Sequence, residues 1–220
     1  MKTRKIYWIV FGISCLLFSG LYISLIFNQN VWTDEAYTIQ LIRENSFAGI
    51  IAGTANDVHP PLYYLMLKIF VSIFGDSIPV YKLFSILPLI LCFILSGTQI
   101  RKYWGEQTSV LFIFFLNAIP SLLEYVIQIR MYSWALLWVT WAAVSAYGVY
   151  KERGFYNQLQ LVIATLLACY THNYAMISCV MIYGILAVFL LKKPKQWLIS
   201  GGVVAICYIP WLVILYRQTT

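Results

Sequence analysis

Four short groups of polar residues interrupt an otherwise apolar chain, and their types limit the chemistry open to it. Asp34 and Glu35 are adjacent carboxylates that follow the first long apolar run. A carboxylate placed there can accept a proton from an attacking hydroxyl, and oxygen ligands suit Mg²⁺ or Mn²⁺. The same pair also suits a solvated helix start, where acidic side chains complement the dipole. The second group is His59-Pro60-Pro61-Leu62-Tyr63-Tyr64. Proline fits the first helical turn and pushes the residue before it out of helical geometry. The run predicts a helix starting near Pro60 with His59 at its N-terminal end, a position that favours anions such as phosphate. A plain helix start with interfacial aromatic side chains explains the same residues without a ligand.

In the third group, Glu124 to Tyr132 (EYVIQIRMY), Arg130 sits in a strongly apolar stretch. Charges at membrane depth are costly and usually functional, and a guanidinium can hold a phosphate through paired hydrogen bonds. Snorkelling to lipid headgroups is the alternative for Arg130. Glu124 and Gln128, four apart, share a helix face. The fourth group, Tyr170-Thr171-His172-Asn173-Tyr174, is a polar knot between two apolar runs and holds the chain's other histidine. A tight turn between helices is its simplest structural reading.

The elements that must position these groups follow from composition. Hydrophobic residues make up 61% of the 220 residues and charged ones 10%, and the mean hydropathy is +0.77. A soluble domain is about 45–50% apolar and about 25% charged, so this chain has too little polar surface to cover itself in water. The fold class predicted is all-α: a polytopic transmembrane helical bundle in a cell membrane. Its apolar segments run roughly 6–27, 62–74, 78–100, 110–119, 131–150, 159–170, 176–191 and 197–216. The first run exceeds the about 7–15 residues of a signal-peptide core and no small-residue cleavage site follows it, so an uncleaved first helix is expected. Pro88, Pro120 and Pro210 predict kinks or breaks. The polar stretch 28–59 holds four of the eight acidic residues. It is expected to form short helices along the membrane surface, the first capped by Thr33 and beginning at Asp34.

Five cysteines, all within apolar runs and none in a CxxC pair, indicate neither a disulfide framework nor a zinc site. The net charge of +7 lies in clusters beside apolar runs: Lys2, Arg4 and Lys5; Arg101 and Lys102; Lys151 and Arg153; Lys192, Lys193 and Lys195. That is the pattern of cytoplasmic loops, and it argues against nucleic acid as a partner. It places the 28–59 loop, Arg130 and His172 on the external face. Between His59 outside and Arg101 inside lie two apolar segments, which must cross an odd number of times. Either one of them is not a full crossing, or the charge rule fails once here.

In order and spacing, these groups resemble the motifs of bacterial members of the GT-C glycosyltransferase superfamily, related to protein O-mannosyltransferases and the lipid A aminoarabinose transferase. WTDEAY, with Asp34 and Glu35, resembles the acidic pair of the family's first external loop. His59 to Tyr64 resembles its HPPLYY-like helix start. Tyr125 to Tyr132 resembles a YSQEARMY-like stretch, and Thr171 to Tyr174 a THYY-like turn. Tyr208 to Leu212, continuing to Arg217 and Gln218, also fits. The resemblance covers essentially the whole chain.

The resemblance implies transfer of a sugar from a polyprenyl-phosphate donor to a lipid, glycan or protein hydroxyl on the external face. Asp34 is then the general base. Glu35 and His172 support a divalent metal, Mg or Mn, or orient the base. His59, Arg130 and Tyr132 bind the donor phosphate, and apolar helix faces bind its lipid tail. The family's second glutamate falls at Gln128. Either Glu124, one turn earlier, is the substitute acid, or activity is reduced or its metal handling changed. The chain stops at Gln218-Thr219-Thr220, where an external loop is due and family members continue with more helices. It is therefore expected to be the N-terminal part of a longer transferase and inactive alone. A transporter or lipid flippase is the alternative class, and a non-catalytic membrane scaffold the third.

Overall fold

The computed structural model describes residues 2–152, 154–191 and 194–219. Arg153, Lys192 and Lys193, which carry part of the inside-loop expectation, lie outside the described residues, as does the chain end at Thr220. The described residues are helical with no strand: α1 Lys2–Leu25, α2 Thr33–Glu44, α3 Phe47–Ala55, α4 Leu62–Phe74, α5 Ile78–Leu95, a π-helical turn Ser96–Ile100, α6 Arg101–Asn117, α7 Pro120–Ile127, α8 Tyr132–Glu152, α9 Phe155–Thr171, α10 Asn173–Phe189 and α11 Lys195–Thr219. The apolar runs of the sequence fall largely within these helices, the 78–100 run spanning α5 and the π-helical turn. Three helical stretches among the described residues are long and apolar enough to cross a membrane: Arg4–Leu25, Ile78–Asn117 and Trp197–Gln218. Their outward faces carry large apolar side chains such as Leu16, Leu17, Ile206 and Ile209, a surface that water does not favour but lipid does.

The chain divides into two compact units, residues 1–38 with 69–133 and residues 39–68 with 134–220. In the first, α1 lies against α5 and α6. Ser96 and Ser109, 13 residues apart, donate to each other's carbonyls at 2.7 and 2.8 Å. A straight helix would hold them about 20 Å apart. The chain therefore turns back on itself, and it does so at Gly105, whose φ of 89° is left-handed and open to glycine at little cost. Pro120 does not kink a helix; it occupies the first turn of α7 after extended Ile119. Pro88 and Pro210 lie within α5 and α11.

This unit also sets the relative direction of α1 and α5. The Lys82 ammonium in the first turns of α5 donates to the carbonyls of Asn28 and Asn30, just beyond α1. At the other end of the same pair, Arg101 lies over the Trp8 ring at 4.7 Å. So α5 starts where α1 finishes and returns to where α1 began. Helix α4 has 13 residues, about 20 Å of helix against about 30 Å of hydrocarbon. It is the segment that falls short.

In the second unit α9 packs against α10 and α11, and α3 against α11. Cys169, Tyr208 and Trp211 form a buried cluster with Tyr170, Met176 and Ile214 around it. Pro210 cannot donate to the carbonyl four residues earlier. The Tyr170 hydroxyl donates to the next carbonyl, that of Cys207, at 2.8 Å. Lys68 donates to the Ile42 carbonyl at 2.7 Å, placing a cation at the C-terminal end of α2 where the helix dipole favours it. The five cysteines are all free.

Candidate active site

Helix α2 begins one residue earlier than expected. Thr33 is its first residue rather than its cap, and the cap is Trp32, whose carbonyl accepts from Ala36 at 2.9 Å. Trp32 has no side chain able to cap, so the carboxylate three residues on does the work: Glu35 Oε2 accepts from the Trp32 N–H at 2.7 Å. This is the glutamate half of a capping box. The other oxygen reaches across 94 residues, accepting from the Ile129 N–H at 2.7 Å. Glu35 is 2% exposed. Both of its oxygens thus hold backbone, joining the start of α2 to the 128–131 segment. Asp34 beside it is exposed.

Glu124 and Gln128 do not share a helix face. Helix α7 ends at Ile127 and Gln128 is extended, with φ −69° and ψ 139°. Opening the helix there releases the Ile129 N–H for Glu35, and the Arg130 N–H closes onto the Gln128 carbonyl at 2.7 Å. The side chain of Arg130, 5% exposed, then lies on the first turns of α2. Its Nη1 donates to the Asp34 carbonyl at 3.3 Å and to the Thr38 hydroxyl at 3.4 Å. Half-buried Tyr132 packs edge-on against Tyr125 with centroids 5.2 Å apart. The first unit therefore brings Asp34, Glu35, Arg130 and the backbone of the EYVIQIRMY stretch together.

Beside them is a polar cleft of about 260 Å³ lined by Asn28, Asn30, Glu35, Lys82, Glu124 and Gln128, among others. Glu124 and Gln128 do meet here, by way of the cleft rather than a helix face. Lys82 is the residue that sequence reasoning passed over. It is 2% exposed and holds the loop between α1 and α2 through two carbonyls. The signal was available, since a lone lysine inside an apolar run is as conspicuous as Arg130. Replacing Lys82 by Met keeps length and removes the donor, leaving both carbonyls without it. The variant is expected to lose about 2–4 kcal/mol of stability, measured by thermal unfolding in detergent. Unchanged melting would show that the loop does not depend on this lysine.

The two histidines belong to the second unit. Helix α4 begins at Leu62, not Pro60, and the first helical carbonyl is that of Pro61, which accepts from Leu65 at 3.1 Å. His59 therefore precedes the helix rather than heading it. Its Nδ1 is 3.4 Å from Asp57 Oδ2, and its ring lies edge-on to His172 with centroids 5.7 Å apart. His172 alone joins α9 to α10 and caps the latter: its Nδ1 accepts from the Tyr174 N–H at 3.0 Å. In the neutral ring the proton is thereby on Nε2. Asn173 donates to the Val58 carbonyl at 2.8 Å. The Gln218 amide donates to the carbonyls of Thr54, Ala55 and Asp57, which gathers the end of α3.

Mg²⁺ is commonly held by one or two carboxylates together with waters and substrate phosphates. Among the described residues no group of three or more His, Cys, Asp and Glu side chains could hold one. Glu35, expected as a ligand, directs each oxygen at a backbone N–H, and His172, its expected partner, has Nδ1 on Tyr174. No protein-family model, no curated protein and no solved structure matches the chain.

Proposed function

We propose that the chain is the membrane-embedded part of a transferase that moves a sugar from a polyprenyl-phosphate donor to a hydroxyl acceptor outside the cytoplasm. One observation carries the reading. Two of the stretches that resemble the GT-C superfamily, WTDEAY and Tyr125 to Tyr132, lie far apart in sequence but meet through Glu35 to Ile129 and Arg130 to Asp34 and Thr38. The exposed carboxylate of Asp34 and the buried guanidinium of Arg130 then stand on the same turns of α2. In the first unit they lie at the end opposite the basic residues Arg4, Arg101 and Lys102.

The chemistry assigns each a part. Asp34 accepts the proton of the acceptor hydroxyl as its oxygen bonds to the anomeric carbon. The bond from that carbon to the donor phosphate oxygen breaks, and the electron pair leaves with the phosphate. Arg130 offsets the charge that develops on it, with Tyr132 as a further hydrogen-bond donor. Glu35 acts as a positioning residue that fixes both α2 and the Arg130 segment. Glu124 faces the neighbouring cleft as the substitute acid. No step is assigned to His59 or His172.

The test is the affinity of purified protein for a polyprenyl-phosphate sugar, measured for wild type, Arg130→Lys and Arg130→Ala. Hydrogen bonds to charged groups are worth about 1.5–3 kcal/mol, so Arg130→Ala is expected to bind roughly 10- to 100-fold more weakly. Arg130→Lys, which keeps the charge but loses the fork, should fall between. Donor binding as tight as wild type in well-folded Arg130→Ala would remove the phosphate role.

A further inference from the structure

The basic residues at the N-terminus and after α5 serve in the sequence only as topology markers, but in the first unit they converge. Arg4, Thr98, Arg101, Lys102, Gly105 and Glu106 line one cavity of about 460 Å³. Three cations from positions nearly a hundred residues apart thus face one space, and among the described residues Glu106 is the only acid lining it. Its Oε1 is 3.9 Å from Arg101 Nη1, so the lining side chains carry three positive charges to one negative.

The surroundings say what kind of anion belongs there. Arg101 lies over the rings of Trp8 and Tyr7 at 4.7 and 5.7 Å, and Trp8 and Trp104 are 45% and 40% exposed. Amphipathic indoles at this level are the side chains of a headgroup region. The outward faces of Ile6, Ile9 and Ile13 run away from the cavity along α1, in the direction an acyl chain would take. The reversal at Gly105 leaves open space where a Cβ would be. Basic pockets between membrane helices bind anionic headgroups.

We propose that this cavity is a binding site for the phosphate headgroup of an anionic membrane phospholipid, held by Arg4, Arg101 and Lys102. The inference rests on the membrane reading of the chain and not on sugar transfer. It can therefore fail while the transferase reading stands, and the reverse.

The experiment uses the intact protein in nanodiscs of phosphatidylcholine alone or with phosphatidylglycerol or cardiolipin, released into native mass spectrometry. Wild type is expected to retain one anionic lipid in clear preference to phosphatidylcholine, and 0.5 M salt during assembly should weaken the preference. Inorganic phosphate at millimolar concentration should not displace it. Each cation near a membrane surface contributes about fivefold in lipid affinity. Lys102→Gln is expected to cost about that much, and Arg4→Gln with Arg101→Gln and Lys102→Gln roughly a hundredfold. Lys102→Arg should bind as wild type, and it serves with Lys102→Gln if the triple variant does not fold. No preference for anionic lipid in wild type, or an unchanged preference in Lys102→Gln and the triple variant, overturns the proposal. Displacement by inorganic phosphate would show a free-anion site and overturn it too.

Discussion

Asp34→Asn in the intact protein is expected to lower sugar transfer by roughly 10²- to 10⁴-fold, the usual worth of a positioned general base. Asparagine keeps the size and hydrogen bonding of the side chain but cannot take the proton. Asp34 is exposed, and the hydrogen bond that reaches it from Arg130 ends on its backbone carbonyl, not its carboxylate. The substitution therefore touches nothing that holds the fold, and the melting temperature should stay within about 0.5 kcal/mol of wild type in stability terms. Donor affinity should also persist, because the phosphate is assigned to Arg130. The check is a transfer rate and a melting curve on the same preparation. A near-normal rate would remove Asp34 from the chemistry.

Glu35 is expected to behave in the opposite way, with a large loss of stability. Both oxygens are buried against backbone N–H groups, at 2.7 Å each. Glu35→Ala leaves both donors without a partner, at a cost of about 3–6 kcal/mol. That corresponds to a fall of roughly 10 °C or more in melting temperature for a chain of this size. Glu35→Gln should be almost as damaging, because its amide nitrogen must point at one of the two donors. Glu35→Asp is too short to reach both. Activity should fall with the fold in all three, and added Mg²⁺ or Mn²⁺ should not restore it. Wild-type melting in Glu35→Ala would show that the link between α2 and the 128–131 segment carries no stability.

The contrast between these neighbours shows what was legible in the sequence. Adjacent carboxylates could be read as a pair with one kind of role, because the dipeptide looks the same whichever way each side chain points. The partner that separates them, the Ile129 N–H, is 94 residues away, and local pattern carries no trace of it. The same blindness covers the break at Gln128. The residues around it are apolar enough to continue a helix, and the helix opens because Glu35 takes the N–H that the next turn would have used. Where local signals decide, the reading held. Long apolar runs became helices, the loop after α1 became the short helices α2 and α3, and Arg130 stood out as a charge in an apolar stretch. Lys82 carried the same signal but sat near the start of its run, where a lysine passes as a flank. Gly105 was silent because a single glycine in a polar patch does not announce a left-handed reversal.

The most direct test of the account follows the sugar itself. Membranes containing the intact protein are given a radiolabelled polyprenyl-phosphate sugar, and the label is partitioned between donor lipid and all other fractions over time. The account predicts that wild type moves label from the donor to an acceptor, and that Asp34→Asn membranes with equal protein leave it on the donor. Label that stays on the polyprenyl phosphate with wild type, while crossing from one leaflet to the other, would contradict the account and establish transport in its place.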